Sequence, residues 1–191
     1  MKLYLLIFCL INCSLYSQIS GCTDFRAKNF NPNATQNNGS CYYPKSKIKA
    51  QFVTQLSDSI PESSGLIAFD SLLWTHNDDH DTTLYGMDES GKIRKKINLP
   101  HVANQDWEEI TQDESFIYIG DFGNNYQGNR NNLHILKFNK NSIYNENPLC
   151  DTISFSYDKQ IDFSSQAANT TNFDCEAFIV YQDSIYLFTK E

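Results

Sequence analysis

The stretch that decides the fold is DWEEITQDESFIYIGDFGNN, residues 106–125. It reads as an acidic strand start, a short polar turn, an aromatic strand and a loop of acids and glycines. The same layout recurs in SSGLIAFDSLLWTHND, residues 63–78, and in DCEAFIVYQDSIYLFTKE, residues 174–191. In each copy a polar turn with Asp and Ser divides two apolar runs, which is the pattern of an antiparallel hairpin. The chain therefore repeats one hairpin unit.

The spacing of the copies predicts the architecture. Ser64, Trp107 and Cys175 occupy matching places, and the first interval is close to the ~40–45 residues of a four-stranded propeller blade. Residues 50–191 are a series of short strand candidates, beginning with QFVTQL at 51–56, and none of them keeps a helical period. A β-sandwich would give no reason for an identical unit to begin each sheet.

We therefore predict an all-β fold in which residues 50–191 form an incomplete β-propeller of about two and a half four-stranded blades. Propellers close with about 4–8 blades. We expect the sequence to be truncated, because it ends inside the third copy.

The first 17 residues indicate export. Lys2 precedes the apolar run LYLLIFCLI, and small or polar residues follow up to Gln18, which is the layout of a signal peptide. The run is shorter than the ~20 apolar residues of a spanning helix. Cys13 follows LIN, where a lipoprotein signal has a small residue, so a released chain is favoured over a lipidated one. We expect a secreted or cell-surface protein with no transmembrane segment in the mature chain.

The cysteines outside the signal peptide indicate disulfides. Cys22 and Cys41 lie in residues 21–44, a stretch rich in Asn, Gly and Pro that has few apolar residues. A bridge between them is favoured among the three connectivities, because so polar a loop needs a covalent clamp. Cys150 and Cys175 are a second candidate pair, with buried free thiols as the alternative.

The charge excludes one class of partner. With a formal net charge of -8 the chain has no basic patch for DNA or RNA. Nucleic acid is not an expected partner.

Acidic and amide side chains at the strand ends form the candidate site. If the hairpins surround a channel, these groups gather at its mouth, where oxygen ligands would favour Ca²⁺. The preferred interpretation is that they only cap turns and accept hydrogen bonds from backbone amides at the strand ends, with the cation site as the alternative. The candidate ligands are Asp78, Glu108, Glu109, Asp121, Asn124 and Glu176.

Other chemistry-bearing residues have simpler interpretations. His76 and His80 are four residues apart but lie between strands, so a solvated loop is preferred to a transition-metal site. The aromatic residues Trp74, Trp107, Tyr118 and Phe122 would suit a sugar-binding mouth, but packing in sheet cores is preferred.

Two resemblances add to these predictions. ESSGL (62–66), LWTHND (73–78), DWEEI (106–110), YIGDFGNN (118–125) with Arg130, and CEAF (175–178) followed by IYLFTK (185–190) resemble a family of exported bacterial β-propellers, phytase- or esterase-like in outline. Glu109 and Asn124 stand where that pattern has Asp. Residues 21–44 resemble the short GCTD…GSC repeats of exported bacterial proteins, many of which use the type IX secretion route.

Together these features predict an exported β-propeller that binds an extracellular ligand, not identified by the sequence, and holds a structural divalent cation. The alternative is a calcium-dependent, phytase-like phosphoesterase, in which the cation would bridge carboxylates to a phosphate.

Overall fold

The computed structural model describes residues 18–190, so the predicted signal peptide lies outside the described residues. All regular structure in this range is β-strand. The chain divides into two compact units, Met1–Phe52 and Val53–Glu191. Among the described residues, no helix is long and apolar enough to cross a membrane.

The first unit is held by a disulfide and by side chains that close turns. The predicted Cys22–Cys41 bridge is confirmed. Strands β1 (Ser20–Gly21) and β2 (Gln36–Asn37) pair in parallel beside it. The Asn29 side chain donates to Ser40 O at 2.7 Å and accepts from Tyr42 N at 3.0 Å. Within residues 18–52, the described part of this unit, Cys22 and Ala27 are the only buried apolar residues, so covalent and polar contacts replace a hydrophobic core.

The second unit contains three antiparallel sheets in which neighbouring strands are consecutive in the chain. Sheet 1 consists of β3 (Ile67–Phe69), β4 (Leu72–Thr75), β5 (Thr83–Met87) and β6 (Ile93–Asn98). Sheet 2 consists of β7 (Trp107–Gln112), β8 (Phe116–Asp121), β9 (His134–Asn139) and β10 (Cys150–Ser154). Sheet 3 consists of β11 (Cys175–Tyr181) and β12 (Ser184–Thr189).

Turn chemistry explains why the repeated unit is a hairpin. Asp70 and Ser71 both have positive φ, as a two-residue type I′ turn requires. Asp113 accepts hydrogen bonds from the amides of Ser115 and Phe116 and from the Tyr118 hydroxyl, which fixes the turn between β7 and β8. The predicted Asp/Ser turns are therefore the hairpin turns of the structure.

The three hairpins also open in the same register. Ser63 pairs with Asn77, Trp107 with Asp121, and Cys175 with Thr189. The spacing of the copies matched Ser64 with Trp107 and Cys175, and the structure instead pairs the preceding residue, Ser63.

Two separate cores join the three sheets. Ile67, Trp74 and Leu84 of sheet 1 pack with Ile117 and Ile119 of sheet 2. On the other face of sheet 2, Tyr118 of β8 and Ile135 of β9 pack with Phe178 of sheet 3. Because side chains alternate along a strand, β8 supplies both cores. Sheet 2 is therefore covered on both faces.

Sheet 3 has one uncovered face. Val180, Ile185 and Leu187 face sheet 2. The opposite face carries exposed apolar side chains, namely Ile179, Tyr181, Tyr186 and Phe188.

Two predictions are wrong in detail. Residues 51–56 form no strand, and Leu56 instead packs beside Ile60 and Met87. The candidate Cys150–Cys175 bridge is not formed, and both thiols are free. Cys150 packs against the core between sheets 1 and 2, whereas Cys175 is buried in the core between sheets 2 and 3, so sheet 2 separates them.

Candidate functional site

An acidic residue precedes the paired start of the first hairpin in every sheet: Glu62, Asp106 and Asp174. The backbone carbonyl of each accepts a hydrogen bond from an amide just beyond the second strand of its hairpin. The donors are the amides of Asp78, Gly123 and Lys190, at 3.0, 3.2 and 2.9 Å. The acids of the three sheets therefore occupy equivalent positions.

β-Bulges set the direction in which two further acidic side chains point. In sheet 2 the register shifts between Trp107 and Glu109, and in sheet 3 it shifts between Cys175 and Ala177. The extra residues are Glu108 and Glu176. A bulge leaves its extra residue outside the ladder and re-aims the side chain, so both sheets present a glutamate at the same place.

Neighbouring sheets are hydrogen-bonded beside these acids. The amide of Trp107 donates to Asp78 O at 2.6 Å, joining sheet 1 to sheet 2. The amide of Asn124 donates to Asp174 Oδ1 at 2.8 Å, joining sheet 2 to sheet 3. These contacts bring acids of different sheets together. We call the resulting group the acidic end, and it consists of Glu62, Asp78, Asp79, Asp106, Glu108, Asp174 and Glu176.

Crowding perturbs the carboxyl groups at the centre of the acidic end. A Cβ atom at position 123 would collide with both the Asp106 and the Glu108 side chains, so Gly123 is what allows them to lie side by side. Burial, reinforced by the charges of Asp106 and Glu176, raises the pKa of Glu108 to about 8. Burial also raises the pKa of Asp106 to about 6, although Arg130 opposes this. Burial is thus the main cause of both raised pKa values, and the neighbouring carboxylates add to it.

Within the described part of the chain, the carboxylates of Glu62, Asp78 and Asp79 form a close group of three. One side-chain oxygen from each lies within 4.8 Å of the others. Asp78 and Asp79 raise the pKa of Glu62 through their charges. Asp78 Oδ1 is buried and has no hydrogen-bond partner among residues 18–190. An unpartnered buried carboxylate oxygen is unfavourable unless a proton or a cation joins it.

Two of the predicted metal ligands, Asp121 and Asn124, are already bonded to other residues of the protein. Asp121 forms an ion pair with Arg130 at 2.7 Å and accepts a hydrogen bond from Gln105 N at 3.1 Å. Asn124 accepts from Arg130 N at 2.9 Å and donates to Phe173 O at 3.2 Å. These contacts fix the loop after β8.

A third predicted ligand, Glu109, also bonds to the backbone. Its carboxylate accepts a hydrogen bond from the amide of Ile110 at 3.0 Å. Burial raises the pKa of Glu109. Asp78, Glu108 and Glu176 belong to the acidic end, so the structure does not gather all six predicted ligands around one point.

The sequence-based ligand set omitted Glu62, Asp79, Asp106 and Asp174. The acid at the start of each copy was a usable signal for Glu62, Asp106 and Asp174. Asp79 could not be chosen in this way, because its position depends on how the loop after β4 turns back towards Glu62.

The prediction that the two histidines lie in a solvated loop is confirmed for His80 only. His80 is exposed and contacts Asp79 at 2.6 Å. His76 is fully buried, where its ring packs edge-on against Trp107 at 5.6 Å. The prediction of a solvated loop is therefore wrong for His76, because sheet 2 covers it.

The aromatic residues considered for a sugar-binding mouth belong to the cores. Trp74, Trp107, Tyr118 and Phe122 are all buried. The preferred interpretation, core packing, is confirmed.

Comparison of this chain with protein-family models, curated proteins and solved structures finds no match.

Proposed function

We propose that this chain is an exported β-propeller binding protein whose acidic end holds a divalent cation. Three features of the second unit support the propeller. Its sheets are meanders of consecutive strands, each hairpin opens in the same register, and each sheet packs face-to-face on the next. Contacts of β7 with both β3 and β11 are consistent with first strands that line a common channel. The exposed apolar face of sheet 3 would pack on another sheet in a closed ring.

The observation that carries the cation proposal is the convergence of Glu62, Asp78 and Asp79 within 4.8 Å. Ca²⁺ prefers several oxygen ligands, including carboxylates. A cation here would offset the charge repulsion that raises the pKa of Glu62. It would also be bound by Asp78 Oδ1, which has no hydrogen-bond partner among residues 18–190. The cation would be structural, because it would join the start of the first hairpin to the loop after β4.

The phytase-like alternative has less support. A phosphoesterase of that kind needs cationic side chains for the substrate phosphate. The Arg130 guanidinium donates to Gly123 O at 2.8 Å as well as to Asp121, and little of it is exposed. Lys190 is paired with Glu176 at 2.8 Å. A binding protein therefore accounts for the geometry better than this enzyme.

Thermal unfolding with and without Ca²⁺ tests the cation proposal. We expect Ca²⁺ to raise Tm, since a ligand that binds only the folded state stabilises it by about 2.7 kcal/mol at a hundredfold excess over Kd. Asp78→Asn should abolish the Ca²⁺-dependent shift. Asp151→Asn, at an exposed position in β10, is the matched control and should keep it.

A Ca²⁺ shift of equal size in Asp78→Asn, or none in the unaltered protein, would refute the site. Turnover of p-nitrophenyl phosphate or phytate that requires Ca²⁺ would instead support the phosphoesterase.

A further inference from the structure

A cleft lined by polar residues and one tyrosine lies outside the group Glu62, Asp78 and Asp79. It has a volume of about 210 Å³ and lies between the residues before β7 and the loop after β8. Its walls include Gln105, Asp106, Tyr126, Gln127 and Asn129. It is smaller than the about 300–1,000 Å³ of sites for drug-sized ligands, so it suits one small ring.

The residues at the bottom of the cleft, Asn124 and Arg130, are fixed by hydrogen bonds. Asn124 is 2% exposed and uses both ends of its amide on Arg130 N and Phe173 O. Arg130 is anchored in turn on Asp121 and on Gly123 O. A ligand would therefore meet a preformed floor.

Hydrogen bonds from the segment 160–171 fix the loop that forms one wall of the cleft. Gln166 N donates to Gln127 O at 2.8 Å. The Gln160 side chain donates to Gly128 O at 3.2 Å. Because the loop is already ordered, binding would cost little conformational entropy.

The rim of the cleft offers free polar groups. Among residues 18–190, no hydrogen bond reaches the side chains of Asp106, Gln127 or Asn129. The Tyr126 ring beside them is 76% exposed. The rim thus combines a carboxyl group and two amides with an open aromatic face.

These groups discriminate between classes of ligand. An anion is disfavoured, because Arg130 is neutralised by Asp121 and because Asp106 and Asp174 lie near. An aliphatic ligand is disfavoured, since no aliphatic side chain lines the cleft. A sugar hydroxyl both donates and accepts, as a side-chain amide does. An aromatic ring can cover the apolar face of a sugar.

We propose that this cleft binds a neutral sugar ring, with Tyr126 against one face of the ring and Asp106, Gln127 and Asn129 bonded to its hydroxyls. The site does not depend on the proposed cation, so binding should persist in EDTA.

Saturation-transfer NMR in EDTA tests the proposal with glucose, galactose, mannose and N-acetylglucosamine. Glucuronate and glucosamine serve as the anionic and cationic probes. We expect at least one neutral sugar to bind and Tyr126→Ala to weaken it about 2- to 10-fold, the usual range for a lost aromatic contact. Gln127→Ala should weaken it too. Tyr181→Ala, which removes an exposed aromatic ring from β11, should leave Kd unchanged.

Three results would overturn the proposal. They are the absence of a signal from all four neutral sugars, tighter binding of glucuronate or glucosamine than of any neutral sugar, and binding that neither Tyr126→Ala nor Gln127→Ala weakens.

Discussion

At the scale of single residues, Glu108 couples folding to pH. Its folded-state pKa of about 8 lies above the ordinary value of 4.5, mainly because the side chain is buried. Between these values the folded protein retains a proton that the unfolded chain releases. The stability that Glu108 contributes must therefore fall as pH rises through this window and level off above it, whereas the lowered pKa of the buried His76 acts in the opposite sense.

Glu108→Gln should flatten that dependence. In EDTA we expect the unaltered protein to lose roughly 2–4 °C more of Tm between pH 5 and 8 than the variant does, because solvent screening reduces the effect of Glu108 to about 1 kcal/mol. The variant should lose less, whereas Glu146→Gln, at an exposed position, should behave like the unaltered protein. A pH dependence of Tm that is the same in Glu108→Gln as in the unaltered protein would show that Glu108 is ionised at little cost in the fold.

At the scale of elements, the disulfide is the main constraint on the first unit. Removing a native disulfide from a small domain typically costs about 2–5 kcal/mol, and the described part of this unit buries only Cys22 and Ala27 as apolar residues. We expect Cys22→Ser with Cys41→Ser to abolish hydrogen-exchange protection in residues 20–42. Protection in β7 and β8 should not change, and the unaltered protein under reductant provides a second comparison. Retained protection in residues 20–42 would mean that the asparagine-capped turns suffice.

The hairpins were predictable from sequence, whereas the bulges were not. Alternation and turn residues are local signals, so they located the strands around Ile110 and Ile119. Whether Glu108 is paired or bulged depends on the register with β8, which no local pattern encodes. The same limit explains why the ligand set included Glu109, Asp121 and Asn124. Their bonding to Ile110 N and Arg130 follows from packing between strands and loops.

At the scale of the whole second unit, the three sheets should differ in stability. Sheet 2 is buried on both faces, whereas sheet 3 has two strands and one exposed face. We expect native-state hydrogen exchange to be slowest in β8 and β9 and fastest in β12, because local opening follows the loss of buried contacts. Equal protection in β8 and β12 would indicate a single cooperative unit.

The contacts between sheets also bear on how such a chain changes over evolution. The loop after the second strand of one sheet reaches the start of the next sheet twice, through Asp78 and Trp107 and again through Asn124 and Asp174. Since at both junctions the loop of one sheet is hydrogen-bonded to the start of the next, a gene duplication or deletion that spans one whole sheet would recreate a junction between a loop and a sheet start. A change of fewer residues would break one. Viable changes in length should therefore come in whole sheets, while the loops remain free to vary.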